Sequence, residues 1–200
     1  MSALPKISHY TPQEYLRLER GADYKSEYFQ GEIFAMAGAS ENHNMISRRV
    51  SGSLFNHLRG KRCTHYSADM KLHIPANTLY TYPDLMIVCG DKKFVDGEKD
   101  IIMNPIVIIE ILSPSTEAYD RGSKFALYRS IPSLREYVMI SSTSIRAEVM
   151  RKENDLGLWF LASEADKLEG SIQIKNIDLE LSLSDIYEET EGIISIELRD

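Results

Sequence analysis

The chain has 200 residues, of which 43% are hydrophobic and 26% are charged, and this composition is typical of a single globular domain, here residues 1–200. It excludes disordered, collagen-like and coiled-coil proteins, and no stretch approaches the roughly 18 apolar residues of a membrane span. Residues 1–10 lack the apolar centre of a signal peptide, so we expect a cytoplasmic protein. The net charge of −7 argues against coating of nucleic acid through bulk charge but is compatible with a local basic face.

The N-terminal part of the chain predicts a helix, a hairpin and a second helix. Thr11 and Glu14 form a capping box with proline between them, so we expect a helix over residues 11–20. Residues 25–37 predict a β-hairpin with its turn at Gln30-Gly31. Ser40 is positioned to cap a second helix, in which an apolar residue recurs at every fourth position. These apolar residues are Ile46, Val50, Leu54 and Leu58.

The rest of the chain predicts mostly strands. Two nearly continuous apolar runs, residues 85–89 and 106–112, are typical of central strands covered on both faces. Pro83 should precede the first of them, because proline cannot donate to a sheet ladder. The order of elements indicates an α/β (α+β) fold with a mixed sheet flanked by helices. The other expected elements are strands at 68–74, 135–140, 147–151, 158–162 and 171–174, a helix at 120–129 and a short helix near Asp185.

Cysteine and histidine spacing gives little sign of a zinc site. Cys63 and Cys89 do not form a CxxC pair, and a cytoplasmic protein keeps such residues reduced. We therefore expect two free thiols. The five histidines show neither HxH nor HExxH spacing, which makes zinc ligation unfavoured.

Each of the two apolar runs carries one carboxylate. Glu110 lies inside the run 106–112, and Asp84 opens the other run. A buried charge needs a partner, so Glu110 pairs with a metal ion or with a basic side chain, while Asp84 is a ligand or a turn residue. If the strands are neighbours, both carboxylates meet at one point. Together with the backbone carbonyl of Ile111, they would suit Mg²⁺ or Mn²⁺.

A set of short motifs extends over most of the chain. It comprises Glu27, Gly31, His43, Pro83-Asp84, Glu110-Ile111-Leu112-Ser113-Pro114-Ser115-Thr116, Asp120, Lys124, Tyr128 and Ile131 to Tyr137. The motifs are specific as a set, although none is specific alone. Over roughly residues 10–190 the chain resembles the Uma-type restriction endonuclease family of the PD-(D/E)XK nuclease-like superfamily. The resemblance implies a restriction-endonuclease-like core of mixed strands with flanking helices.

The resemblance also implies metal ligation by Asp84 and Glu110, and it exposes one departure from the superfamily pattern. The superfamily has a lysine two residues after the glutamate, where this chain has Leu112. That lysine orients the attacking water and stabilises charge on the phosphate. We expect Lys124, on the following helix, to replace it, unless Lys124 is a solvated helix residue. Lys71 is a second candidate if its strand adjoins the site.

Glu27 and His43 complete the candidate catalytic set. The first carboxylate of many relatives in the superfamily binds metal or water, and Glu27 matches it, unless it is a hairpin surface residue. His43 lies in the first turn of the second helix, where it either lines the cleft or has a structural role. Arg48, Arg49 and Arg59 on that helix either contact a phosphate backbone or are solvated. Tyr128 and Tyr137 are expected to be core aromatics.

Together these residues predict a Mg²⁺- or Mn²⁺-dependent DNA endonuclease that hydrolyses phosphodiester bonds. The alternative is a nuclease-fold nucleic-acid-binding or regulatory protein without turnover, because Leu112 occupies the usual lysine position. A lysine that reaches the metal would separate the two. We expect a homodimer that acts on DNA, since a two-fold pair of subunits can address both strands of a duplex, and no membrane association.

Overall fold

The computed structural model describes residues 9–153 and 157–194, which form an α+β structure. No helix within these ranges is both long enough and apolar enough to cross a membrane. The helices are α1 (Pro12–Arg20), α2 (Glu41–Leu58), α3 (Glu117–Tyr119), α4 (Phe125–Tyr128) and α5 (Leu183–Ile186), with a π-helical turn at Asp120–Lys124 and a 3-10 turn at Lys175–Ile177. The strands are β1 (Ser26–Phe29), β2 (Glu32–Ala35), β3 (Cys63–Ser67), β4 (Lys71–Ile74), β5 (Leu79–Thr81), β6 (Leu85–Cys89), β7 (Ile101–Ile102), β8 (Val107–Leu112), β9 (Glu136–Ser141), β10 (Ala147–Lys152), β11 (Trp159–Ala165), β12 (Ser171–Ile174) and β13 (Leu179–Ser182).

Most of these strands belong to two sheets. Sheet A has the strand order β2-β1-β5-β4-β7, sheet B has the order β11-β10-β9-β8-β6-β3, and β12 pairs with β13 in a separate hairpin. In sheet B, β8 runs parallel to β9 and antiparallel to β6. The predicted fold class, a mixed sheet flanked by helices, is therefore confirmed.

The first three elements form as the sequence predicts. In α1, the Thr11 N–H donates to Glu14 Oε2 (2.8 Å), and the Glu14 N–H donates to Thr11 Oγ1 (3.2 Å). The hairpin turns at Gln30 and Gly31, whose φ angles are 48° and 92°, a region that glycine enters without steric cost. Ser40 caps α2. The buried face of α2 consists of Ile46, Val50, Leu54 and Leu58.

Several boundaries differ from the prediction. Only the last four residues of the strand predicted over 68–74 form a strand, β4, because residues 68–70 lie in a turn in which the Met70 N–H donates to the Ser67 carbonyl (3.0 Å). The helix predicted to start at Asp120 begins at Glu117 and passes through the π-helical turn. The sequence reading missed β3, β5, β7 and β13, which contain two to five residues each. Such short strands hold too few residues for a detectable alternation.

Strand β8 is central to the core, and all six of its residues are buried. Ile109 and Ile111 pack in a cluster with the buried face of α2. Ile108 and Leu112 pack on the opposite side, in a cluster with residues of sheet A and of α4. Because side chains alternate along a strand, Glu110 is directed to the same face as Ile108 and Leu112, between the two sheets.

Cys63 and Cys89 lie directly opposite each other across β3 and β6, and a disulfide joins them. The expectation of two free thiols is therefore wrong for this structure. The two residues are separated by 26 positions in the sequence, and the antiparallel register of the strands brings them together. Cysteine spacing alone carries no information about that register.

The packing of α2 predicts unequal effects of substitution at two adjacent residues. Leu54 is fully buried, whereas Phe55 is 63% exposed. Leu54→Ala should lower the free energy of unfolding by about 2–5 kcal/mol, because it leaves a cavity in the core. Phe55→Ala should change it by no more than about 0.5 kcal/mol. Urea denaturation followed by circular dichroism measures both, and equal losses would contradict this orientation of α2.

Candidate functional site

The candidate site lies where β6 begins and β8 ends. The strands are antiparallel neighbours with Leu85 opposite Ile109, so the start of one lies beside the end of the other. The Asp84 N–H donates to Glu110 Oε2 (3.1 Å), and the Ile111 N–H donates to Asp84 Oδ2 (2.8 Å). The expectation that the two apolar strands are neighbours is confirmed, and their carboxylates meet.

Glu110 is a buried carboxylate with several partners. Its Oε1 accepts a hydrogen bond from the Tyr128 hydroxyl (2.7 Å) and lies 3.0 Å from Lys124 Nζ. Burial raises the pKa of Glu110 to about 8; the positive charge of Lys124 opposes this rise, and the negative charges of Asp84 and Asp120 add to it. Burial is therefore the main reason that Glu110 binds its proton more tightly than a free carboxyl does.

Lys124 is the cation at the centre of the carboxylates. Besides Glu110, its Nζ lies 3.4 Å from Glu27 Oε1 and 3.4 Å from Asp120 Oδ1. Burial alone would lower the pKa of Lys124, but the surrounding carboxylates raise it well above its ordinary value. The side chain is buried, so the alternative of a solvated helix lysine is excluded.

The π-helical turn directs both of its end residues towards β8. Asp120 and Lys124, the first and last residues of the turn, are buried. The Tyr137 hydroxyl donates to the Asp120 carbonyl (3.1 Å) and so attaches the turn to sheet B. Burial raises the pKa of the Asp120 carboxyl, and Lys124 opposes the rise. Single π turns inside helices occur frequently at functional sites.

Glu27 reaches the site from sheet A. The Thr81 hydroxyl donates to its Oε1, and the Tyr119 hydroxyl donates to its Oε2 at 3.3 Å. The Glu27 side chain is 12% exposed, so the alternative of a hairpin surface residue is excluded. Its contact with Lys124 links β1 to the helical segment behind β8.

His43 enters the site from the first turn of α2. Its Nε2 lies 3.1 Å from Asp84 Oδ2. Its Nδ1 is buried and has no hydrogen-bond partner among the described residues. The backbone N–H of the same residue donates to the Ser40 cap (3.3 Å). The start of α2 therefore determines where the imidazole contacts Asp84.

Lys71 does not reach the site. Its Nζ lies over the rings of Tyr15 (4.9 Å) and Tyr82 (5.2 Å) and is 4.0 Å from Glu19 Oε1. The next residue, Leu72, belongs to the core between the sheets, and neighbouring side chains of a strand point to opposite faces. Lys71 was a candidate only if its strand brought it beside the site, and its side chain instead lies on the other face of sheet A.

Sequence reasoning left four contacting residues out of the candidate site. Tyr128 is buried as expected for a core aromatic, but it also donates to Glu110. The recurrence of Asp120, Lys124 and Tyr128 at every fourth position predicts that they share a face, and Lys124 contacts both Asp120 and Glu110, the residue to which Tyr128 donates. Thr81 and Tyr119 touch Glu27, and the sequence carries no local signal for these contacts.

The donors of the site fit a divalent cation. Among the described residues, three carboxylates (Glu27, Glu110 and Asp120) contact one ammonium group, and the Asp84 N–H donates to one of them, Glu110. In the same part of the chain, no three His, Cys, Asp or Glu side chains are arranged to hold a metal ion. Mg²⁺ commonly uses one or two carboxylates and completes its shell with water. A pair such as Asp84 and Glu110 is therefore a sufficient set of protein carboxylates.

Comparisons with known proteins agree on one family and one fold. The Uma2 family, described as "Putative restriction endonuclease", matches residues 12–176. The uncharacterized protein slr1290 of Synechocystis sp. is 41% identical over 187 residues, 92% of each chain. The uncharacterized protein sll1609 of the same organism is 39% identical over 145 residues, 72% of this chain and 82% of the relative. A crystal structure described as "a putative nuclease belonging to DUF820", from Anabaena variabilis, has a TM-score of 0.71 and 17% identity and covers 89% of this chain and 97% of its own. This last likeness shows the fold.

Removal of the central cation should destabilise the fold in a pH-dependent way. Lys124→Met leaves Glu110 and Asp120 buried without their ammonium partner, a change that typically costs about 3–5 kcal/mol. The loss in free energy of unfolding should be largest near pH 8 and smaller near pH 5, where carboxyl groups with raised pKa values are protonated. Urea denaturation at the two pH values measures it.

A surface lysine provides the matched control. Lys25 pairs with Asp69, and the two side chains are 40% and 87% exposed. Lys25→Met should cost less than about 1 kcal/mol at either pH. A Lys124→Met loss as small and as independent of pH as that of the control would contradict the central role of the ammonium.

Proposed function

This chain belongs to the Uma2 family, and we propose that it is a divalent-metal-dependent DNA endonuclease. Its membership of the family confirms the resemblance seen in its motifs. The observation that carries the proposal is the meeting of Asp84, Glu110 and Lys124, with the lysine 3.0 Å from Glu110 Oε1. Paired carboxylates beside a preorganised cation are suited to hydrolysis of a phosphodiester, whose transition state gains negative charge.

Asp84 and Glu110 would hold Mg²⁺, or Mn²⁺ in its place, with the backbone carbonyl of Ile111 as a further oxygen donor. When bound, the ion supplies Lewis acidity towards the scissile phosphate. Backbone N–H groups already fix both carboxylates, since Ile111 donates to Asp84 and Asp84 donates to Glu110. Such support orients ligands before any ion arrives.

Lys124 supplies the positive charge that the superfamily pattern places two residues after the glutamate. It would stabilise the charge that develops on the phosphate, an effect worth about 3–4 kcal/mol for one preorganised group. Glu27 and Asp120 lie 3.4 Å from the ammonium on other sides and limit its movement.

His43 and Glu27 have separate parts in the proposed reaction. His43 contacts Asp84 through Nε2 and so maintains the orientation of that carboxylate. Glu27, which accepts from Thr81 and Tyr119, is the carboxylate nearest to Lys124 on the sheet A side and would take the proton of the attacking water.

The alternative function, nucleic-acid binding or regulation without turnover, depended on the lack of a lysine at position 112. The contact of Lys124 with Glu110 favours turnover instead. Cleavage of both strands of a duplex needs two such sites, and a homodimer stays our prediction for the assembly.

The proposal predicts nicking of supercoiled plasmid that requires Mg²⁺ or Mn²⁺ and both carboxylates. Asp84→Asn and Glu110→Gln keep the size of each side chain and remove its charge. Each should lower the nicking rate by at least about a hundredfold, because a metal ligand is lost. Gel analysis of plasmid forms over time, with and without EDTA, measures the rates.

Glu19→Gln is the matched control for these variants. Glu19 is also a buried carboxylate near a lysine, but that lysine is Lys71, on the other face of sheet A. Its nicking rate should equal that of the parent once folding is verified by circular dichroism. Parental rates in both Asp84→Asn and Glu110→Gln, or nicking that persists in EDTA, would reject the proposed site.

The affinity for Mn²⁺ should rise with pH. The pKa of Glu110 is raised to about 8 by burial, so below that pH a proton competes with the ion for the carboxylate. The apparent dissociation constant should fall by up to about tenfold per pH unit between pH 6 and 8 and level off above. Titration calorimetry at pH 6, 7 and 8 measures it, and equal constants at pH 6 and pH 8 would contradict it.

A further inference from the structure

Two arginines on the outer side of α2 converge on a single carboxylate oxygen. Glu189 Oε2 lies 2.6 Å from Arg48 Nη2 and 2.8 Å from Arg49 Nη2. Arg49 Nη1 also lies 2.7 Å from Glu188 Oε2. Two guanidinium groups directed at one oxygen form an anion site, and here the chain fills it with its own carboxylate. Arg59 is the C-cap residue of α2 and lies ten positions beyond Arg49.

The acidic segment, residues 188–191, is attached to α2 by backbone contacts. Asn42 Nδ2 donates to the Glu191 carbonyl (2.8 Å), and the Glu191 N–H donates to Asn42 Oδ1 (3.1 Å). Glu189 has a φ of 65°, a left-handed conformation that costs energy in a residue other than glycine. Glu189, whose carboxylate pairs with both arginines, therefore has an unfavourable backbone conformation.

The anion site lies close to the candidate catalytic residues. Asn42, which binds the acidic segment, immediately precedes His43, which contacts Asp84. A helix rises about 1.5 Å per residue, so Arg49 lies about 9 Å from His43 along the axis of α2. That distance corresponds to about two or three nucleotides of one strand. The two residues also differ by about 240° around α2, so a strand that contacts both would pass around the side of the helix.

The ion pairs at this site are of the kind that exchange easily. The side chains of Arg48, Glu188 and Glu189 are 64%, 59% and 55% exposed, and exposed pairs contribute little to stability. Arg49 Nε is buried and has no hydrogen-bond partner in the described part of the chain. A phosphodiester offers several acceptor oxygens in a geometry that guanidinium groups match well, so it can replace the carboxylates of Glu188 and Glu189 on the two arginines.

We propose that Arg48 and Arg49 form a contact for the phosphodiester backbone of a nucleic acid beside the catalytic site, and that the acidic segment occupies this contact in the free protein. The inference rests on the proposed function, because it takes a polynucleotide as the substrate. Binding of the strand displaces Glu188 and Glu189 from the arginines, so the acidic segment weakens binding of any polyanion that does not also engage the catalytic residues.

The test is fluorescence anisotropy of a labelled 20-base-pair DNA duplex with the full chain in EDTA, at several salt concentrations. Glu188→Gln with Glu189→Gln should lower the dissociation constant at least about fivefold below that of the parent, because the competing carboxylates are gone. Arg48→Gln with Arg49→Gln should raise it and reduce the slope of log affinity against log salt by about 1.8, the amount expected for two phosphate contacts.

Two control pairs change the same charges elsewhere. Glu98 and Asp100 pair with the exposed Arg20, so Glu98→Gln with Asp100→Asn removes two ion-paired acidic groups. Arg17→Gln with Arg20→Gln removes two arginines of α1. The proposal is overturned if either test pair behaves like its control, or if the duplex binds neither the parent nor the Glu188→Gln/Glu189→Gln variant.

Plasmid nicking in Mg²⁺ separates this proposal from the proposed function. Nicking by the parent together with control-like binding by the test pairs would reject the arginine contact and leave the nuclease assignment intact. Tighter binding by the Glu188→Gln/Glu189→Gln variant without nicking by any protein would support the contact and reject turnover.

Discussion

The contact between Lys124 and Glu110 is the interaction on which the candidate site depends. Removing two charged groups from water is costly, and a buried ion pair often contributes less to stability than apolar residues of the same size would. Here burial raises the pKa of Glu110, and the negative charges of Asp84 and Asp120 add to that rise. A fold that retains such an arrangement gains little stability from it, which is why we interpret the cluster as functional.

The architecture accounts for how so much charge is held in one place. Strand β8 is covered by α2 on one side and by sheet A and α4 on the other, so Glu110 lies at the layer where the two sheets meet. β1, β6, β8 and the helical segment after β8 each bring one carboxylate, and α2 brings the imidazole of His43. The site is therefore assembled from every layer of the structure, and movement of any one layer would alter it.

Positive charge is placed locally in a protein whose net charge is −7. Lys124 is enclosed by carboxylates, and Arg48 and Arg49 are paired with Glu188 and Glu189. An acidic protein that acts on a polyanion must overcome general repulsion, and it can do so where a few cations are preorganised. Pairing these cations with the protein's own carboxylates limits their attraction for other anions.

The sequence by itself determined the elements whose signals lie in neighbouring residues. The capping box of α1, the stripe of α2, the apolar runs of β6 and β8 and the family motifs around Asp84 and Glu110 were all readable in this way. The contacts of Lys124 and Glu27, the disulfide between Cys63 and Cys89 and the placement of Lys71 on the far face of sheet A were decided by the tertiary structure. The physical reason is that capping and periodicity act over a few residues, whereas these contacts depend on strand register and on which face of a sheet a side chain occupies, and a shift of one residue would reverse that face.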